Sequence, residues 1–156
     1  MPKITPFLWF DHEAEDAAKF YTSIFKNSKM GAVSRSGASG PGPAGSVLTV
    51  SFEIEGTDYI ALNGGPDHKF TAAISFMVHC ENQQDVDYYW EKLGAGGKEV
   101  ACGWLTDKYG LSWQITPTAL MKLLSDPDKA KANRVMQAML KMVKLDIPTL
   151  EAAARG

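Results

Sequence analysis

Ile4-Thr5-Pro6-Phe7-Leu8-Trp9-Phe10 form an apolar, aromatic run that Asp11-His12-Glu13 cuts off. Such a run suits a strand buried on both faces. Beyond the break, Ala14, Ala17, Ala18, Tyr21, Ile24 and Phe25 recur at helical spacing and make one apolar stripe. Further strands are expected at Met30 to Ser36, Ser46 to Ile54 and Thr57 to Asn63, the last closed by Gly64-Gly65-Pro66. Between the first two of these, residues 37–45 consist entirely of Gly, Pro, Ser and Ala, which reads as a mobile loop without a regular element.

The same order then begins again. Ala72 to Val78 reads as a strand and Gln83 to Leu93 as a helix with Val86, Tyr89, Trp90 and Leu93 on one face. Gly94, Gly96 and Gly97 end that helix, glycine being common just past a helix C-terminus. Strands are expected at Glu99 to Cys102, Trp104 to Thr106 and Leu111 to Ile115. Phe20, Tyr21 and Ile24 of the first helix line up with Tyr89, Trp90 and Leu93 of the second, and Leu8 and Phe10 with Phe76 and Val78. One extra residue in the first strand-to-helix turn reconciles the two alignments. The chain is therefore read as an α+β fold of two βαβββ modules, with curved, mostly antiparallel sheets. Module one is placed at residues 1–66 and module two at 70–117, both within a single domain spanning 1–156.

After Pro117 the pattern becomes helical throughout: Thr118 to Leu124, Asp128 to Val143 and Pro148 to Ala154. In the middle helix Val135, Met139 and Met142 share one side, with Met136, Leu140 and Val143 beside them. This extension, residues 118–156, is expected to join two copies of the chain into a homodimer.

Bulk composition narrows the function. Net charge is −2 and no basic stripe occurs, which argues against a nucleic-acid partner. No apolar run approaches the roughly 20 residues that span a bilayer, so no membrane role is expected. Cys80 and Cys102 form no CxxC and fall in segments read as apolar strands, where buried reduced thiols are expected. With no leader pattern at Met1-Pro2-Lys3, the expected location is the cytoplasm. No GxSxG turn, HExxH helix or Walker loop occurs, and no catalytic residue is assigned.

Several motifs carry a family resemblance. Residues Ile4 to Asp11 followed by Ala17-Ala18-Lys19-Phe20-Tyr21 resemble the opening of PhnB-like proteins. So do Gly96-Gly97-Lys98, Cys102-Gly103-Trp104-Leu105-Thr106-Asp107 and Gly110-Leu111-Ser112-Trp113-Gln114-Ile115-Thr116-Pro117. The ending, Val135 to Met142 with Lys144 to Ile147, is similar as well. These proteins form a branch of the vicinal-oxygen-chelate superfamily of glyoxalases, bleomycin-resistance proteins and extradiol dioxygenases, often labelled 3-demethylubiquinone-9 3-methyltransferase. The resemblance implies a ligand pocket inside each curved sheet. Catalytic members hold a divalent metal there with His and Glu from the first and last strands of the modules. Here those positions fall on Thr5 or Pro6, on Ala73, on Gln114, and on Ala61 or Asn63. Such side chains do not make a site for Zn²⁺, Fe²⁺ or Ni²⁺, so neither metal nor cofactor is expected. Asp11, His12 and Glu13 are read as an acidic helix N-terminus.

Strand alternation would place Thr5, Phe7 and Trp9 on one inward face, Ala73, Ser75 and Met77 on another, Tyr59, Ala61 and Asn63 on a third, and Ser112 with Gln114 on a fourth. Leu8, Phe10, Phe76, Val78, Trp113 and Ile115 would then point to the helices. The candidate ligand-binding residues are Phe7, Trp9, Asn63, Ser75, Met77, Trp104, Ser112 and Gln114. Aromatic walls with a few amides and hydroxyls suit a small aromatic or hydrophobic molecule. The reading is a small-molecule-binding, glyoxalase- and bleomycin-resistance-like protein without the usual metal ligands. The alternatives are methyl transfer to a ubiquinone precursor and metal-dependent lyase or dioxygenase chemistry. Against methyl transfer, no Gly-rich strand-to-helix turn followed by an acidic residue is present to hold S-adenosylmethionine.

Overall fold

The computed structural model describes residues 3–156. It divides into two units, one running to Phe70 and the other from Thr71 to Gly156.

In the first unit the elements are β1 (Phe7–Phe10), α1 (Ala14–Ile24), β2 (Ser28–Arg35), β3 (Val47–Ile54) and β4 (Thr57–Asn63). The sheet order is β1-β4-β3-β2. β1 runs parallel to β4, whereas β3 is antiparallel to both β4 and β2. β1 starts later than the apolar run suggests. Pro6 has no N–H to give a ladder, and only its carbonyl joins β4, accepting from Ile60 N–H at 3.0 Å. Ile4 is left 83% exposed.

Small residues at Ala14, Ala17 and Ala18 bring α1 close to the sheet, and all three are fully buried. Tyr21 stacks on Phe52 at 6.1 Å between centroids, and Phe52 on Tyr59 at 5.4 Å. Glu55 and Gly56 join β3 to β4 with φ of 48° and 83°. Positive φ at both central residues is what a two-residue type I′ hairpin turn demands. Residues 37–45 hold no helix or strand, as expected. The loop is nonetheless tied at its base. Ser36 and Ser46 pair across it at 2.8 Å, and Ser36 Oγ donates to Pro41 O at 2.7 Å.

The second unit repeats the plan with β5 (Ser75–Cys80), α2 (Gln83–Gly94), β6 (Lys98–Glu99), β7 (Trp104–Thr106) and β8 (Ser112–Pro117). Its order is β5-β8-β7-β6, with β5 parallel to β8 and the other two pairings antiparallel. The N-terminus of α2 is capped by Asn82, whose Oδ1 accepts from Asp85 N–H at 2.8 Å. The turn between β7 and β8 is built on Asp107, which is only 3% exposed. Its carboxylate accepts from the Tyr109 and Leu111 N–H groups and, at 2.9 Å, from Trp113 Nε1. A buried carboxylate is tolerable only with this density of donors.

Three short helices follow, α3 (Thr118–Leu124), α4 (Lys129–Met139) and α5 (Ile147–Arg155). Leu120, Val135, Leu145, Leu150 and Ala154 form their core, with Met139 and Met142 against it. α4 ends four residues before the expected Val143, and β6 ends before the expected Cys102. One set of bonds explains both shortfalls. Cys102 and Gly103 take positive φ (59° and 84°), and their N–H groups donate to Met142 O and Val143 O, each at 2.8 Å. The turn and the segment after α4 thus satisfy each other rather than extending their own elements. Gln83 adds a second tie, donating to Leu145 O at 3.1 Å and accepting from Ile147 N–H at 2.8 Å. Among the described residues no helix is long and apolar enough to cross a membrane.

A Cβ added at Gly103 would lie 2.8 Å from Leu145 Cδ1 and 3.0 Å from Ile115 O, on a backbone of positive φ. Gly103→Ala should therefore destabilise the protein by about 2 kcal/mol or more. Urea unfolding checks this, and an unchanged midpoint would show that the clasp yields without cost.

Candidate functional site

Each sheet has one side covered by its helix and one side free of it. In the second unit Val78, Trp113 and Ile115 are 8%, 4% and 0% exposed on the α2 side, as alternation requires. The other side collects most of the predicted residues. Ser75 is in register with Ser112, Met77 with Gln114, and Gln114 in turn with Trp104. Residues in register on neighbouring strands share a face. Ser75, Met77, Trp104, Ser112 and Gln114 therefore stand together. Gln114 Nε2 donates to Ser75 Oγ at 2.9 Å. Its Oε1 accepts no hydrogen bond among the described residues. Gln114 and Trp104 are half-buried, Met77 is 38% exposed and Ser112 lies beneath the surface at 2%.

The first unit treats its predicted residues differently. Phe7 and Trp9 do lie on the side away from α1, Phe7 being 58% exposed. Trp9 is engaged: its Nε1 donates to Gly65 O at 2.9 Å, and His68 meets its ring edge-on at 4.6 Å. Its ring lies so near Gly64 that any Cβ there would collide with it. Trp9 is thus the post on which the Gly64–His68 turn is hung.

Asn63 departs from the expectation. It is in register with Phe10, and Ala61 with Leu8, so both face α1 together with Tyr59. Asn63 Oδ1 accepts from Ala14 N–H at 2.8 Å, and Nδ2 donates to Val47 O at 3.0 Å. The amide closes the N-terminus of α1 from another strand, a partner far away in sequence. The acidic triplet does not perform that task, since Glu13 makes no side-chain capping bond. His12 instead sits 3.6 Å from Asp11 and 3.8 Å from Glu13, with 81% of its side chain exposed.

The positions that the family resemblance assigns to a metal carry Thr5 or Pro6, Ala73, Gln114, and Ala61 or Asn63. Ala61 and Asn63 face the helix, and Gln114 is engaged with Ser75. This donor set does not fit a transition metal. Among the described residues no three His, Cys, Asp or Glu side chains gather in a way that could hold an ion. Cys80 is buried, and desolvation, with Asp85 nearby, pushes its thiol up to about 12. A thiol so poised is not a nucleophile at neutral pH. Cys102 lies in the turn described above rather than in the expected strand, and is half-buried.

A family model described as 3-demethylubiquinone-9 3-methyltransferase matches residues 2–116. The chain belongs to that family. Among solved structures, a PhnB protein from Bacillus cereus is 36% identical, with a TM-score of 0.68 over 75% of this chain and 100% of that one. A Pseudomonas aeruginosa protein is 17% identical, with a TM-score of 0.62 over 75% and 98% of the two chains. The fosfomycin resistance protein FosX from Listeria monocytogenes is 16% identical, with a TM-score of 0.50 over 75% and 93%. These last two bear on the fold alone. The family model and the Bacillus cereus match bear out the PhnB-like resemblance, and the fold agrees with that of FosX. The sequence matches none of the curated proteins. The family match ends at Thr116, so α3, α4 and α5 lie beyond it, and the similarity read in Val135 to Ile147 gains no support from it.

Proposed function

We propose that this protein binds a small, flat organic molecule on the helix-free face of its second sheet, without a metal. One observation carries the reading: the half-buried Gln114 spends its N–H on Ser75 and leaves its carbonyl oxygen free, beside the indole of Trp104 and the thioether of Met77. A half-buried acceptor without a donor is satisfied by a ligand hydroxyl or N–H, and the indole and thioether supply a face for a ring. A phenol or hydroquinone has both features. A quinone precursor, the substrate class in the family's description, belongs to that same chemical class, so sequestration and methyl transfer begin from one recognition step. Ser75, Met77, Trp104, Ser112 and Gln114 are assigned to this site, whereas Phe7 stands exposed on the helix-free side of the first sheet. Trp9 and Asn63 act as structural anchors.

The chain is further read as a cytoplasmic homodimer. Met136 and Leu140 lie one turn apart at the C-terminal end of α4, 37% and 60% exposed, with Val143 just beyond it at 47% and Met121 at 48%. Val135, Met139 and Met142 on the other side already fill the helical core. Exposed apolar side chains arranged in this way favour association. Light scattering should give twice the chain mass, falling to one chain mass for Leu140→Glu. A monomer in the unaltered protein would contradict this.

The ligand reading is tested by calorimetry with 1-naphthol and 1-methoxynaphthalene, which differ in the donor offered to Gln114. Gln114→Ala should weaken 1-naphthol by roughly fivefold, the loss of one hydrogen bond, and leave 1-methoxynaphthalene unchanged. Asn63→Ala should lower stability by about 1 kcal/mol as the α1 cap is lost, with 1-naphthol affinity kept. Equal losses for both naphthalenes, or none, would overturn the role of Gln114.

A further inference from the structure

The helix-free face of the first sheet has different chemistry from that of the second. Lys29, Glu53 and Asp58 are in register across β2, β3 and β4, so the three charged groups form one row. In the next row stand Ser51 and Ile60, themselves in register, with Gly31 and Thr5 alongside. All of these line one recess of about 360 Å³, within the size range of small-ligand sites. Its floor is firm, because Phe52 and Tyr59 point the other way and stack under Tyr21 of α1. Gly31 lets β2 lie close against β3 here, since a Cβ would come within 2.9 Å of Ser51 O.

The charges in this row do not satisfy one another. Lys29 and Glu53 are cross-strand partners, yet among the described residues neither they nor Asp58 make a side-chain ion pair or hydrogen bond. The recess therefore offers two carboxylates and one ammonium, a net charge of −1. With strands about 4.8 Å apart, Lys29 and Asp58 are separated by roughly 10 Å across the row.

We propose that this recess is a second binding site, independent of the Gln114 face, for a small aliphatic amino acid bearing a second ammonium group. The two ammonium groups of such a molecule oppose Glu53 and Asp58, and its carboxylate opposes Lys29. Its net charge of +1 balances that of the recess. Its length, with a side chain of three or four methylenes, suits the row. Ser51 and Thr5 supply hydroxyls for the remaining N–H and carboxylate positions. The contacts are partly exposed, so affinity is modest and falls with salt.

Calorimetry of the whole chain at low salt tests this, with L-lysine, cadaverine and glutarate as probes. L-lysine should bind one to one, cadaverine more weakly because it leaves Lys29 unopposed, and glutarate not measurably. The double variant Glu53→Gln, Asp58→Asn should weaken L-lysine by roughly tenfold, while Lys29→Met should bring L-lysine down to the level of cadaverine. Both variants alter exposed or half-exposed positions, and circular dichroism should show an unchanged fold. Absence of L-lysine binding, glutarate binding as tight as L-lysine, or affinity unaltered by the double variant would each overturn the proposal. Gln114→Ala, which tests the other face, should leave L-lysine binding intact.

Discussion

The arrangement rests on one pairing made twice: the first strand of each module lies parallel to the last. β1 with β4 and β5 with β8 are the parallel pairs in otherwise antiparallel sheets. A parallel neighbour cannot be reached by a tight turn, so each module carries a helix directly after its first strand. That helix must bury its apolar stripe on one side of its sheet. Leu8, Phe10, Val50, Phe52 and Ala61 receive α1, while Val78, Trp113 and Ile115 receive α2. The opposite side of each sheet is left without that helix, and there the side chains proposed to bind ligands stand.

That division is largely legible in the residues. Alternation places Leu8, Phe10, Val78, Trp113 and Ile115 toward the helices and Ser75, Met77 and Gln114 away from them, as observed. It misplaces Tyr59, Ala61 and Asn63, because the phase of β4 depends on its register with β1, and a strand of mixed character such as Tyr59-Ile60-Ala61-Leu62-Asn63 reads equally well either way. The long-range cap from Asn63 to α1 leaves no local signal, since local signals mark caps that neighbour their helix. The shortening of α4 is equally invisible: Leu140 to Val143 keep helical periodicity, and only the approach of Cys102 and Gly103 draws two carbonyls away. Asp107 does carry a local signal, since it opens a turn that ends in Gly110 and lies six residues before the Trp113 whose indole it accepts from.

Duplication of the backbone plan has not preserved duplication of chemistry. In the second module the helix-free face is aromatic and amide, with Trp104, Met77 and Gln114 joined to Ser75. In the first it is ionic, with Lys29, Glu53 and Asp58 in a row, and its aromatic Trp9 is committed to holding the turn at Gly64. Among the described residues neither face gathers three imidazole, thiolate or carboxylate groups in a way that could hold a metal ion. Two sheets with one architecture can thus present two kinds of surface, because each helix packs only on the helix-facing half of its strands.

The central claim is that ligand recognition occurs on the helix-free face of the second sheet. A crystal of the protein soaked in 1-naphthol tests it most directly. The account predicts density for the ring against Trp104 and Met77, with the hydroxyl within hydrogen-bonding distance of Gln114 Oε1. Density found only between α2 and its sheet or among α3, α4 and α5, with the Gln114 face bare, would contradict it.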